Sequence, residues 1–425
     1  MQIQLSPEYT NQPDAVAAQA IVRKCVHCGF CTATCPSYQI LGDELDSPRG
    51  RIYLIKQVLE GVEPTRKTQM HLDRCLTCRN CETTCPSGVD YGHLIDIGRQ
   101  LVDAKVERPA GEKALRWALK EGIPSPLFGP AMKAGQLARA LLPAGLKNKV
   151  PVPRESGRWP ERVHARKVLL LTGCVQPAMA PNINSATARV LDACGIQTVV
   201  APKAGCCGAV KFHLNDQEGA RAQMRANIDA WWPQVQAGEV EAIVMNASGC
   251  GVTVKDYGYF LQDDPVYADK ARRISALTKD LSELLPGLVH ALQTAQPGLQ
   301  AHLAVTGPKL AFHPPCTLQH GQKLKGGIEQ YLGALGFSIR TATNEAHLCC
   351  GSAGTYSVLN PDVAYPLRDR KLGHLAALQA DVIVSANIGC IAHLQSGTAT
   401  PVRHWVEVLD ASLGPMRSGA DKVRM

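Results

Sequence analysis

A run of four cysteines and a proline occurs twice near the start of this 425-residue chain. It stands first as Cys25-x2-Cys28-x2-Cys31-x3-Cys35-Pro36 and again as Cys75-x2-Cys78-x2-Cys81-x3-Cys85-Pro86. Steps of x2 let one turning loop aim three sulfurs at a single small volume, with the fourth sulfur set further off. Zinc usually draws on two separated Cys-x2-Cys pairs, so three cysteines on consecutive x2 steps fit it poorly. A disulfide framework needs an oxidising compartment. Residues 1–20 are polar, without the basic start and apolar core of a secretory leader. The spacing suits thiolate ligation of polynuclear iron–sulfur clusters.

The doubled run resembles that of bacterial two-cluster ferredoxins, in which the fourth cysteine of each run ligates the other cluster. The resemblance implies one 4Fe-4S cluster on Cys25, Cys28, Cys31 and Cys85, and a second on Cys75, Cys78, Cys81 and Cys35. Between the runs, Ser47-Pro48-Arg49-Gly50-Arg51 opens a helical pattern of Ile52, Ile55, Val58 and Leu59. After Cys85, Leu94, Ile97, Leu101 and Val102 mark another helix, so residues 1–108 read as a mostly helical ferredoxin domain. Arg49 and Arg51 either neutralise cluster charge or meet a partner's acidic surface, or else they are two solvated arginines at a helix start. The formal charge of +8 treats every cysteine as neutral. Each cubane with four thiolates carries −2, which brings the total to about +4. With no aromatic-basic surface motif, nucleic acid is not an expected partner.

Residues 109–165 read as a connector broken by Pro124, Pro126, Pro130, Pro143, Pro151 and Pro153. Two amphipathic pieces lie in it, one around Leu115, Trp117 and Leu119, the other with Leu137, Leu141 and Leu142 opposite Lys133 and Arg139. They read first as helices packing across their own domains, and second as a peripheral contact with a membrane or a partner subunit. No apolar run approaches the roughly eighteen residues of a membrane span, so the expected location is cytoplasmic.

From residue 166, strand runs at 167–172, 198–201 and 242–245 alternate with helical patterns at 183–194 and 217–232. That alternation predicts a parallel sheet with helices on its faces, and functional residues at the strand ends. Cys174, Cys206, Cys207 and Cys250 fall there. The pattern then repeats through Lys309-Leu-Ala-Phe-His313-Pro-Pro-Cys316, His347-Leu-Cys349-Cys350-Gly351 and Asp381 to Cys390. The landmarks Cys316, Cys349, Cys350 and Cys390 stand 140 to 143 residues after their counterparts, which argues for a duplicated fold. Residues 166–300 and 301–425 are the two expected lobes, with their cysteines facing the cleft between them or a partner. Lone cysteines at strand ends are often buried structural residues. Adjacent cysteines before a glycine, at matched places, instead suit a shared metal site.

The Cys206-Cys207-Gly208 and Cys349-Cys350-Gly351-Ser-Ala-Gly354 modules resemble the cysteine-rich domain of heterodisulfide reductase, anaerobic glycerol-3-phosphate dehydrogenase, lactate-utilisation proteins and glycolate oxidase. A helical two-cluster ferredoxin followed by two duplicated α/β Cys-Cys-Gly lobes most resembles the iron–sulfur subunits of bacterial glycolate oxidases. The chain departs from the fuller module, which ends in Cys-x2-Cys. Ala247 stands three residues before Cys250 and Asn387 three before Cys390, so each lobe has one thiol fewer. That leaves room for an ordinary iron–sulfur cluster or zinc on three or four thiolates, completed by a histidine. His313, His347 and His393 lie near the second set of cysteines and only His213 near the first, which makes the second lobe the better candidate. Each of these histidines also reads as a hydrogen-bonding or quinone-pocket residue.

No dinucleotide fingerprint, nucleophile elbow or P-loop is present. Clusters pass single electrons, so oxidation of a 2-hydroxy acid calls for a flavin on a partner. The resemblance therefore implies an electron-transfer subunit between an FAD-containing glycolate oxidase subunit and an acceptor, membrane quinone, at the cytoplasmic face of the inner membrane. The alternatives are the equivalent subunit for lactate or glycerol-3-phosphate oxidation, a heterodisulfide-reductase-like catalytic subunit, and a zinc-bearing interaction scaffold.

Overall fold

The computed structural model describes residues 1–147 and 149–414. Residues 415–425, the end of the second expected lobe, lie outside the described residues. Helices Pro13–Lys24, Pro48–Leu59, Arg66–Asp73 and Tyr91–Lys105 enclose the first core, in which Ile55, Leu59, Leu72, Leu94 and Ile95 are fully buried. The second of these helices starts where the sequence calls for it. Ser47 Oγ accepts from Gly50 N at 3.0 Å, and Pro48 takes a position whose N–H has no helical partner. Helices Ala110–Gly122 and Phe128–Leu137 follow, and residues 151–164 run without helix or strand to the first sheet.

That sheet comprises β1 (Arg166–Leu170), β2 (Ile196–Val199), β3 (Ala242–Met245) and β4 (Thr278–Asp280), all parallel, in the order β2-β1-β3-β4. The second sheet comprises β5 (Leu310–Phe312), β6 (Ile339–Thr341), β7 (Val382–Ser385) and β8 (Val402–His404), again parallel, in the order β6-β5-β7-β8. Identical order in both halves is the structural form of the sequence repeat. The central strands are apolar through residues 168–170, 242–245, 310–312 and 382–384 because helices cover both faces of a parallel sheet. The sequence reading misses β4, β6 and β8. Each has three residues, and β4 (Thr-Lys-Asp) and β8 (Val-Arg-His) are largely polar, so neither gives a hydrophobic run.

The lobes do not face each other across an open cleft. One apolar core runs from Val168, Leu170 and Val190 through Leu310 and Phe312 to Val384 and Trp405. Helix Asn182–Ala193 packs on helix Trp405–Ser412, where Arg189 pairs with Asp410 at 2.6 Å. In each lobe the Cys-Cys-Gly turn closes on the helix that follows it. Gly208 and Gly351 have φ of +96° and +88°, and a Cβ there would stand 3.1 Å from Ala220 O and 2.3 Å from Ala364 O respectively.

Two expectations follow. Gly208→Ala should lose about the 1–2 kcal/mol of a left-handed residue. Gly351→Ala should lose more, because its Cβ meets a backbone oxygen that cannot move aside; urea unfolding of both variants checks the ranking. His404 supplies the second expectation. Its buried Nδ1 accepts from Val406 N at 3.1 Å, and burial lowers its pKa to about 3. The unfolded ring protonates near 6.5, so this group stabilises the fold fully above that pH, and the contribution falls as pH drops toward 3. Unfolding free energy should therefore decline by about 1 kcal/mol between pH 7.5 and 5.5, and His404→Asn, which keeps an acceptor for the cap, should flatten that decline.

Candidate metal centres

Cys25, Cys28, Cys31 and Cys85 line one cavity together with Cys81, under Ile52 and Tyr91. Cys25 is buried and Cys28 is exposed, with the apolar side chains of Val26 and Phe30 also open to solvent beside it. Burial, then the neighbouring Cys25, push the Cys31 thiol up to about 11. Thiols so placed resist ionisation until a cation takes the proton's place.

The other four thiols converge deeper. Burial raises Cys78 and Cys81 well above the ordinary thiol range, and Cys75 and Cys35 lie within electrostatic reach of both. Thr77 N donates to Cys75 Sγ at 3.4 Å, and Ser37 Oγ lies 3.3 Å from Cys35 Sγ. Behind Ser37 stands Arg51. Its guanidinium donates to Ser37 Oγ (3.0 Å), His71 O (2.7 Å) and Asp46 Oδ1 (3.2 Å), all buried. Burial alone would favour losing its proton, but Tyr91, Cys75, Cys35 and Asp46 outweigh that and keep it charged. The pair of arginines is thus divided: Arg51 is not solvated, whereas the half-exposed Arg49 binds Glu44 at 2.5 Å and borders the first cavity.

In the first lobe the thiols follow one another from Cys174 through Cys206 and Cys207 to Cys250, each close enough to shift the proton affinity of the next. Donors at Cys174 and Cys207 hold Cys206 far below the usual thiol range. Asn227 Nδ2 donates to Cys206 O at 2.7 Å and Tyr257 Oη to Cys207 O at 2.9 Å, which fixes the turn. The second lobe repeats the chain through Cys316, Cys349, Cys350 and Cys390, with Cys350 the lowered member. Among its histidines, a His313 ring nitrogen, Cys350 Sγ and Cys390 Sγ all lie within 4.8 Å of one another. His393 Nε2 instead meets Ala364 O at 3.2 Å, and His213 sits 3.6 Å from Asp96. His347 offers its carbonyl, which accepts from Asn80 Nδ2 (3.2 Å) and bonds His320 Nε2 (2.8 Å). His320 had no signal in the sequence; its other nitrogen reaches Thr83 Oγ1 at 2.8 Å, joining the two domains. Asn387 donates to Cys390 Sγ at 3.6 Å and accepts from Gly249 N at 3.1 Å, so it links the second thiol chain to the first. The seventeenth cysteine, Cys194, lies apart and donates to Leu288 O.

The deeper ferredoxin-type thiols and the second lobe meet directly. Leu76, Cys316, Cys349 and Tyr356 form one buried cluster against which Cys78 packs, and after burial itself Cys316 is the neighbour that most affects Cys78. Tyr356 Oη donates to Arg74 O at 2.9 Å across the same seam. The first lobe is fastened by Arg79 to Asp256 (2.8 Å) and by His93 stacked on Tyr259 at 3.8 Å. Two soft thiolate sets of four, in largely apolar surroundings, fit the cubane clusters expected from the spacing.

Comparison with known proteins agrees with this architecture. Residues 21–89 match the 4Fe-4S dicluster domain, and residues 168–255 and 310–395 match the cysteine-rich domain. The chain is 54% identical over 416 residues to the glycolate oxidase iron-sulfur subunit of Escherichia coli K12, covering 97% of this chain and 99% of that one. It is 30% identical over 405 residues to a protein of Bacillus subtilis 168 named as a probable glycolate oxidase iron-sulfur subunit, covering 88% of each. Lactate utilization protein A of an Exiguobacterium species is 24% identical over 248 residues, which is 57% of this chain. Matched from end to end, with the ferredoxin-type domain and both cysteine-rich lobes in the same order, the chain belongs to the family of glycolate oxidase iron-sulfur subunits.

Proposed function

We propose that this chain carries electrons, within a glycolate-oxidising complex, from an FAD-containing partner to quinone. The observation that supports it most is the seam where Cys78 packs against the buried cluster containing Cys316, which brings the ferredoxin-type thiols to those of a lobe. Cys25, Cys28, Cys31 and Cys85 would hold one 4Fe-4S cluster, and Cys35, Cys75, Cys78 and Cys81 the other. Such clusters, when bound, supply one-electron transfer at potentials set by burial and by hydrogen bonds to sulfur.

The remaining residues divide the task. The partner's flavin takes the two electrons of glycolate on its way to glyoxylate, since this chain has no flavin-binding signature. Exposed Cys28, with Val26 and Phe30 beside it, is the face on which that partner would dock. The Ser37 hydroxyl beside Cys35 Sγ and the Arg51 guanidinium that donates to that hydroxyl bring a polar group and positive charge next to Cys35, while Tyr91 and Leu76 are buried nearby. No helix among the described residues is long and apolar enough to cross a membrane. Leu127, Leu137 and Leu141, exposed on the segment that follows the ferredoxin domain, offer a peripheral contact at the cytoplasmic face of the inner membrane, where quinone is found. Glycolate is favoured over lactate because the lactate-utilisation relative spans little more than half of the chain.

Anaerobically purified protein should contain at least about eight irons and matching sulfide per chain; zinc without iron would sink the proposal. With its flavoprotein partner it should reduce a quinone analogue when glycolate is added, and failure there removes the last step. Ser37→Ala takes a donor from the neighbourhood of Cys35, which should lower one cluster potential by on the order of tens of millivolts. Redox titration followed by EPR measures this, and an unchanged potential contradicts a tuning role for Ser37.

A further inference from the structure

The lobes are copies, so the places where they differ single out what one site needs and the other does not. Three residues before the first cysteine of each lobe, at the end of the strand, the first lobe has Leu171 and the second has His313. Leu171 is part of an apolar core. His313 is 1% exposed, and its backbone is tied by His313 N donating to Val384 O (2.8 Å) and by His313 O accepting from Ser385 Oγ (3.0 Å). Its ring has no such tie: neither nitrogen reaches a nitrogen or oxygen partner among the described residues, and the group it acts on is the Cys350 thiol. A buried imidazole left this way is unfavourable unless something else satisfies it. What it faces is the pair Cys350 and Cys390, with all three donor atoms within 4.8 Å of one another.

Two further differences point the same way. Seven residues beyond the carbonyl that faces each Cys-Cys-Gly glycine, the first lobe has Asn227 and the second has Lys371. Lys371 is 3% exposed and donates to Glu345 O, with Cys316, Cys349 and Cys350 in electrostatic reach. A buried ammonium suits a site whose sulfurs carry negative charge. Asn387, where the fuller module has another cysteine, holds Cys390 Sγ with its amide while Gly249 N occupies its oxygen, so it orients a ligand.

We infer that His313 is a nitrogen ligand of a metal centre held in the second lobe together with Cys350, Cys390 and one further thiolate, from Cys316 or Cys349, with no counterpart in the first lobe. The inference depends on the reading of the lobe cysteines as metal ligands. Thiolates with one imidazole suit iron in an iron–sulfur cluster or zinc, and the test distinguishes them. The whole chain, purified anaerobically, is assayed for iron, sulfide and zinc as wild type, His313→Ala and His313→Cys. Wild type should hold metal beyond the ferredoxin share, as extra iron or as zinc. His313→Ala should lose that excess while the ferredoxin EPR signals persist, and His313→Cys should keep it. Uniform labelling of wild type with 15N-histidine tests the same ligand without a variant. Excess iron should show a histidine nitrogen coupling in pulsed EPR, or a light-atom shell in X-ray absorption where it is EPR-silent. Excess zinc should show one nitrogen among sulfurs at its absorption edge. Full metal with an unchanged spectrum in His313→Ala, sulfur-only coordination in wild type, or no metal beyond the ferredoxin share would each overturn the inference. Loss of the ferredoxin signals themselves would instead count against the proposed function.

Discussion

Four thiolates gathered away from water are tolerated only where positive charge and hydrogen-bond donors are buried with them. The ferredoxin domain is arranged around that requirement. Arg51 is among the largest fully buried side chains of the protein, and Asp46 beside it is shared by Arg74 at 3.0 Å, so the network is anchored at both ends. Arg99 donates to Leu72 O (3.0 Å) and Cys75 O, which holds the second cysteine loop where its thiols converge. The helices between the two cysteine runs thus serve as a scaffold for charge as well as an apolar core.

The duplicated lobes extend the same logic with unequal results. Both keep the strand order, the left-handed glycine and the chain of four thiols. Among the described residues, the second abuts the ferredoxin-type thiols and the first does not, and a histidine and a buried lysine stand at the thiols of the second alone. Fusion of the lobes through one core fixes the two thiol chains relative to each other, with Asn387 spanning between them. Duplication supplied two sites, and divergence of a few residues gave them different surroundings.

The cysteine runs were legible because metal ligation by one loop is a matter of local spacing, and the central strands because burial on both faces leaves a run of three or four apolar residues. Three-residue strands such as β4 and β8 leave no such trace. Arg51 was open to two readings, yet it lies four and eight residues before Ile55 and Leu59, on the helical face that the structure buries. That periodicity was an available signal. His320 and Lys371 were not legible, since what they touch is decided by how the domains and the lobe turns come together. Asn387 read as a missing ligand, and only the tertiary structure gives it a bridging place.

Central to the account are two clusters lodged side by side in one domain, with ligands exchanged between the two cysteine runs. Low-temperature EPR of the whole chain, reduced stepwise with dithionite, tests this most directly. Two clusters so close must interact magnetically, so the signal that appears first should broaden or split as the second centre is reduced. Two signals that simply add, each unaffected by the other, would contradict it.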